Sequence, residues 1–166
     1  MPRTLDGKYS AELQYSSEMP FKIESNKIDL LIACPKPLVL KLPAKLTTTL
    51  KQQEDYVPEL AFDKDGASTY FWSGTGVKPG DSFTLVLETP ANAKAIKVAT
   101  GCGEHPDDIL HGGFLEISED GNTFTKVAEF KDGIAEATVK RKIKAARITC
   151  TQEQKFWLAL TDIEIK

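Results

Sequence analysis

From residue 46 onward the chain is a run of short alternating segments, interrupted by Gly, Pro, Asn and Asp about every ten residues, with almost no helical periodicity. That cadence restricts the fold more than any other feature. Alternation turns one face of each strand toward a core and the other toward water, and the turn residues fold each strand back on the last. The expected fold is all-β, a jelly-roll β-sandwich. Lys78-Pro79-Gly80-Asp81, Glu119-Asp120-Gly121-Asn122 and Lys131-Asp132-Gly133 read as turns, the second as a hairpin. Expected strands include Thr123 to Phe130, Glu136 to Val139 and Ala145 to Thr151. Residues 1–45 read as a β-rich extension or the remnant of a preceding domain, with Tyr9 to Tyr15, Lys27 to Ile32 and Leu38 to Leu42 strand-like. Residues 46–166 read as the sandwich domain.

At 166 residues the chain can bury roughly 70% of its unfolded surface in one core. A net charge of −3 with dispersed Lys and Arg offers no basic stripe for phosphates, which argues against nucleic-acid binding. The apolar runs Ile28 to Cys34 and Leu38 to Leu42 fall well short of the ~20 residues of a spanning helix, so membrane insertion is not expected. The N-terminus has no apolar core of a secretion signal, so the choice lies between a cytosolic protein and a domain of a longer secreted one. Three cysteines, Cys34, Cys102 and Cys150, cannot all pair and do not form the framework of a small secreted domain; one bridge stays open.

Catalytic signatures are weak. Cys102, His105 and His111 could suggest zinc or a Cys/His pair, but the spacing of structural zinc and a fourth ligand are missing, and a polar loop is the plainer reading. The segment Ala61 to Ser73 carries more. Asp63, Asp65, Gly66, Ser68 and Thr69 supply the oxygen ligands a hard cation prefers, and they also suit an ordinary turn. Asp162, in the alternating run that ends the sequence, adds a carboxylate if that strand lies beside the loop. The pattern is not an EF-hand, because the remaining loop ligands and the flanking helices are absent.

With these segments in view the chain resembles the discoidin-like (coagulation factor V/VIII C-type) family and the related family 32 carbohydrate-binding modules. The motifs that carry the resemblance are the acidic turn before Thr69-Tyr70-Phe71-Trp72-Ser73, then Asp81 to Leu87, Ile96 to Gly101, Leu115 to Phe124, Ala146-Arg147-Ile148 and Trp157 to Ile163. The Thr-Tyr-Phe-Trp-Ser variant is most similar to modules appended to bacterial glycoside hydrolases, including hexosaminidases. One departure is Lys64 where the family turn has its first Gly, with Ser68 at the usual Thr position and Thr69 one later. The resemblance implies a galactose-binding-like fold and a structural calcium ion held by Asp65, Thr69 and Asp162, to which the acidic turn adds Asp63. It implies a noncatalytic module, periplasmic or extracellular within a longer protein, that holds a glycoside hydrolase's catalytic domain near galactose- or N-acetylhexosamine-type glycans. The alternative is a structural accessory domain that binds no sugar. Sugar binding needs aromatic faces and polar side chains converging on loops at one end, and the candidates are Tyr56, His105, His111, Gln154, Phe156 and Trp157. Trp72 and Trp157 also suit a core position, Trp72 more strongly.

Overall fold

The computed structural model describes residues 7–11, 28–32, 42–63 and 69–166, the first two stretches as backbone. The chain divides into two units, Met1–Leu40 and Lys41–Lys166. In the first, β1 (Gly7–Ala11) pairs antiparallel with β2 (Ile28–Ile32), Gly7 opposite Ile32. The expected Leu38 to Leu42 strand lies almost wholly outside the described residues, as does Cys34.

The second unit is an antiparallel sandwich. Its elements are β3 (Ala44–Thr48), a short 3-10 helix (Pro58–Phe62), β4 (Phe71–Trp72), β5 (Ser82–Thr100), β6 (Gly113–Ser118), β7 (Thr125–Glu129), β8 (Ile134–Cys150) and β9 (Ala159–Ile165). The strand order is β4-β9-β5-β8-β6-β7, with β3 on the first half of β5. Continuity comes from β5 and β8, which pair along nearly their whole length and belong to both layers. The first half of β5 joins β3 and the last half of β8, which carries β6 and β7. Its second half pairs with the first half of β8 and with β9, beside which β4 lies. The cadence predicts separate short strands at Glu136 to Val139 and Ala145 to Thr151, and the resemblance sets Asp81 to Leu87 and Ile96 to Gly101 apart as separate motifs. The structure joins each pair, because register shifts at Val86/Ala91 and Ala93/Ala95 bend the strands without ending them.

Alternation fills the core as expected. Phe83, Leu85 and Leu87 of β5, Leu115 and Ile117 of β6, Ile143 and Ile148 of β8 and Leu160 and Ile163 of β9 are all buried. Two turns behave as the sequence predicts. Asp132 (φ 50°) and Gly133 (φ 76°) both take positive φ, as a tight two-residue hairpin requires. Asp120 accepts from the main-chain N–H of Asn122 and Thr123 and from Ser118 Oγ, which holds its carboxyl well below the usual carboxylate range.

A strand folded from one layer into the other brings its two ends to the same end of the sandwich. Ser82 pairs with Thr149, and Gly101 N donates to Ala159 O. The loops that follow β3, β4, β5 and β8 therefore share one pole, and the bends of β5 and β8 form the opposite one.

Candidate functional site

Four loops meet at the loop pole because their main chains are bonded to one another. Gln53 N donates to Trp72 O (2.9 Å) and Gly74 N to Lys51 O (2.7 Å). Ser73 exchanges bonds with Leu158 through N–H to carbonyl (3.0 Å) and Leu158 N to Ser73 Oγ (2.8 Å). Val77 and Gln154 form an antiparallel bridge. Gly76 is required there, since a Cβ would lie 2.5 Å from Gln154 O and 3.1 Å from Lys155 O. The loops expected to share one end, around residues 52–59, 73–80, 101–113 and 151–157, thus form one rim.

Trp72 is the hub of this rim. Phe71 enters the core, so strand alternation turns the next side chain outward, and Trp72 is half-buried. His105 stacks on it at 4.6 Å between ring centroids, Trp157 meets it edge-on at 4.7 Å and Tyr56 at 5.3 Å. Tyr70 lies behind, 5.0 Å from Tyr56 and 6.3 Å from Trp72. Burial, then hydrogen bonds to Cys102 and Tyr56, push the Tyr70 hydroxyl above its usual pKa. Trp72 Nε1 donates to Asp108 Oδ2 (2.8 Å), so a carboxylate only 9% exposed stands beside the rings. Asp108 is fixed by its own main chain, which donates to His105 O and accepts from Ala159 N. Apolar ring faces around a fixed carboxylate can stack on the C–H face of a pyranose and accept from its hydroxyls.

The sugar candidates are thereby sorted. Tyr56, His105 and Trp157 are brought together, each half-buried. Phe156 is 57% exposed on the neighbouring loop. Gln154 is buried and its amide is committed within the protein: Oε1 accepts from His111 N, and Nε2 donates to the carbonyls of Ile109, Phe156 and Trp157. It braces two loops, and those bonds keep Phe156 and Trp157 out of the final strand, which starts at Ala159. His111 lines a separate groove of about 300 Å³ with Phe114, Lys126 and Gln152. His105 and His111 therefore face different surroundings. Among the described residues no three His, Cys, Asp or Glu side chains gather as metal ligands. Trp72, which suits a core position by sequence, is half-exposed, and Tyr70 and Asp108 join it. The signal for Trp72 was the alternation from Phe71; nothing in the sequence marks Asp108, because its role depends on a loop folding over a Trp that precedes it by 36 residues.

The acidic locus lies beside β9. Phe71 pairs with Leu160 and Trp72 with Ala159, and the same register carried back sets Thr69 opposite Asp162. Thr69 Oγ1 donates to Asp63 Oδ2. Burial, then Glu164 and, more weakly, Asp63, push the Asp162 carboxyl up, and its Oδ1 is buried with no hydrogen-bond partner. A buried, unsatisfied carboxylate oxygen held against like charge suits a hard cation. Asp65, Lys64, Gly66 and Ser68 lie outside the described residues.

Residues 44–162 match the family model of the MGAT4 C-terminal domain. Among curated proteins, the alpha-1,3-mannosyl-glycoprotein 4-beta-N-acetylglucosaminyltransferase C of Macaca fascicularis is 35% identical over 137 residues, covering 74% of this chain and 28% of that protein. The alpha-1,6-mannosyl-glycoprotein 4-beta-N-acetylglucosaminyltransferase of Gallus gallus is 33% identical over 135 residues, with the same coverages. The chain thus spans under a third of the length of these relatives. Among solved structures, chitosan-binding module 1 of a Paenibacillus chitosanase/glucanase superposes with a TM-score of 0.62 at 19% identity, covering 76% of this chain and 96% of that one. A family 32 module from Clostridium perfringens, solved with GalNAc-β-1,3-galactose, gives 0.57 at 18% identity, covering 74% and 96%. At such identities these structures speak for the fold alone, and it is the galactose-binding-like sandwich expected. The expectation of a bacterial glycoside hydrolase as parent is corrected: the sequence relatives are glycosyltransferases.

Proposed function

The chain belongs to the MGAT4 C-terminal domain family, and on that premise we propose that it is a noncatalytic glycan-binding module of a glycosyltransferase. Its ligand is an N-acetylhexosamine- or galactose-type sugar seated at the loop pole. The observation that carries this reading is the Trp72 cluster, with Trp157, His105 and Tyr56 around it and Asp108 bonded to its indole N–H. In that seat Trp157 and Tyr56 supply apolar faces, Asp108 accepts from sugar hydroxyls, and Phe156 flanks the rim. Supporting it further, the rim loops are joined main chain to main chain, so little ordering is left to oppose binding. Coupled to a catalytic domain, such a module raises the effective concentration of glycan at the enzyme.

Titration of the protein with N-acetylglucosamine, N-acetylgalactosamine and galactose by calorimetry tests this. Saturable heat that is lost in Trp157→Ala and Asp108→Asn is expected. No heat with any of the three at millimolar sugar would move the assignment to the second reading, a structural domain that binds no sugar. That reading draws on the mutual packing of the rings and on the commitment of Gln154 within the protein.

A calcium ion is part of the same proposal. Asp63, Thr69 and Asp162, with Asp65 from sequence, would hold it, and it would tie the turn before β4 to β9. Its contribution is neutralising charge and fixing structure, with no role at the sugar.

A further inference from the structure

The bend pole carries charge opposite in sign to the whole chain. Lys94, Lys140, Arg141 and Lys142 are all exposed where β5 and β8 cross between layers. The register puts Arg141 opposite Ala93 and Thr138 opposite Ala95, so Lys94 alone faces Val139 and Lys140. Lys142 sits opposite Asn92. Lys140 has φ 47°, a left-handed backbone that a long side chain adopts at a cost. Neighbouring cations add repulsion to that strain. Among the described residues no ion pair includes Lys94, Lys140 or Lys142. Arg141 has Glu119 at 3.8 Å, and Lys144 Nζ donates to the carbonyl of Glu88 at the bend. Glu88, exposed in the same bulge, and Glu119 are the acidic neighbours, and they leave Lys94, Lys140 and Lys142 without an ion pair among the described residues, a concentration of positive charge in a chain of net charge −3.

We propose that this cationic bend is a second binding surface, for a linear sulfated polysaccharide. The residue types select that class. Lysine is a compact point charge, suited to successive sulfates along a strip, whereas single carboxylates and phosphates are gripped best by arginine forks. None of the exposed large apolar side chains of the described residues, Leu42, Ile134 and Phe156, belongs to the bulge, so it has no anchor for a membrane interface. It carries no aromatic ring on which a nucleic-acid base could stack. The proposal is independent of the loop pole, which no residue of the bulge touches.

Heparin oligosaccharides are the probe, followed by calorimetry or surface binding across a salt series. The wild-type protein is expected to bind, and K94E/K140E/K142E to lose about tenfold or more in affinity and part of the salt dependence, since fewer counterions are released. The control K51E/K78E/K131E changes net charge equally at the other pole, where all three lysines are exposed, and should move affinity less than about twofold. K140G removes one cation and relieves the positive φ, so it should raise Tm while lowering affinity, which separates binding from misfolding. Equal losses in the bend and control variants, or no heparin binding at low salt, would overturn the proposal. Binding to vesicles of anionic phospholipid without binding to heparin would do the same. The monosaccharide titration of the bend variants reads the loop pole separately, and an unchanged result there is expected.

Discussion

The two poles of the sandwich are built by the same strands and differ in how they are held. At the loop pole the chain ends its strands, and the loops are tied by hydrogen bonds and by a glycine in contact with a facing main chain; the groups gathered around Trp72 are rings and the Asp108 carboxylate. At the bend pole the strands continue, and what is presented is a bulge of cations on a strained backbone. Where strands end, loops can be selected for shape. Where they bend, the ladder fixes the backbone and only the outward side chains are free to vary.

The strongest way to break the contrast is Trp72→Ala. Removing the hub should cost about 2–3 kcal/mol of stability, below the range for fully buried aromatics because Trp72 is half-exposed, and abolish sugar binding. Urea unfolding and calorimetry check this, and heparin binding by the folded fraction should persist. Gly76→Ala touches no ring. Its Cβ would have to displace Gln154 O, so we expect a loss of about 1–3 kcal/mol together with weakened sugar binding; intact binding would mean that the loops need not be pinned. Glu116→Gln probes the sheet between the poles. Glu116 is bonded by Arg147 through Nε (2.7 Å) and Nη2 (3.1 Å) and by Thr149 Oγ1 (2.9 Å), with Phe124 under the guanidinium. Burial pushes its carboxyl up, but the bonds from Arg147 and Thr149 outweigh that and hold it below the usual range. The stability it contributes is therefore present above the ordinary carboxylate pKa and lost as pH falls through the lowered value. The variant should lose about 1–2 kcal/mol at neutral pH, less in acid, and bind at both poles as before.

The smallest effect is expected at Asp162. Its carboxyl is pushed up, so its favourable contribution is present in acid and lost as pH rises through the raised value. In chelator, Asp162→Asn should raise Tm by a few degrees at neutral pH and make little difference in acid. With calcium the order should reverse, because the variant lacks a ligand. A variant that behaves alike with and without calcium would remove the ion from the proposal.

The fold was legible because alternation and turn residues are local signals, and the alternating segments that contain Phe83, Leu115, Ile148 and Ile163 do bury those side chains. The continuity of β5 through Pro90 was not, since a bulge in a two-layer strand looks in sequence like a strand end. The convergence of four loops at one end followed from the resemblance to the discoidin-like family, but the side chains that matter could not all be named. Gln154 looked like a hydroxyl partner and is a brace. Trp72 suited the core and is a hub, and Asp108 gains its place only through a long-range bond. The cationic bend escaped for the same reason: Lys94 and the residues 140–142 are far apart in sequence and meet only through register.

The position of β9 has a consequence for how this domain comes into being. It lies between β4 and β5, buries Leu160 and Ile163, and closes the ladder on strands that all precede it. A chain emerging from the ribosome therefore holds nearly all its core residues before the strand that completes the second layer exists. Such dominance by distant pairings makes for slow folding, and an open β5 edge waits exposed until residues 159–165 arrive. Synthesis of this domain is expected to need shielding during that interval, and ribosome-bound chains stalled before and after those residues should differ sharply in protease resistance.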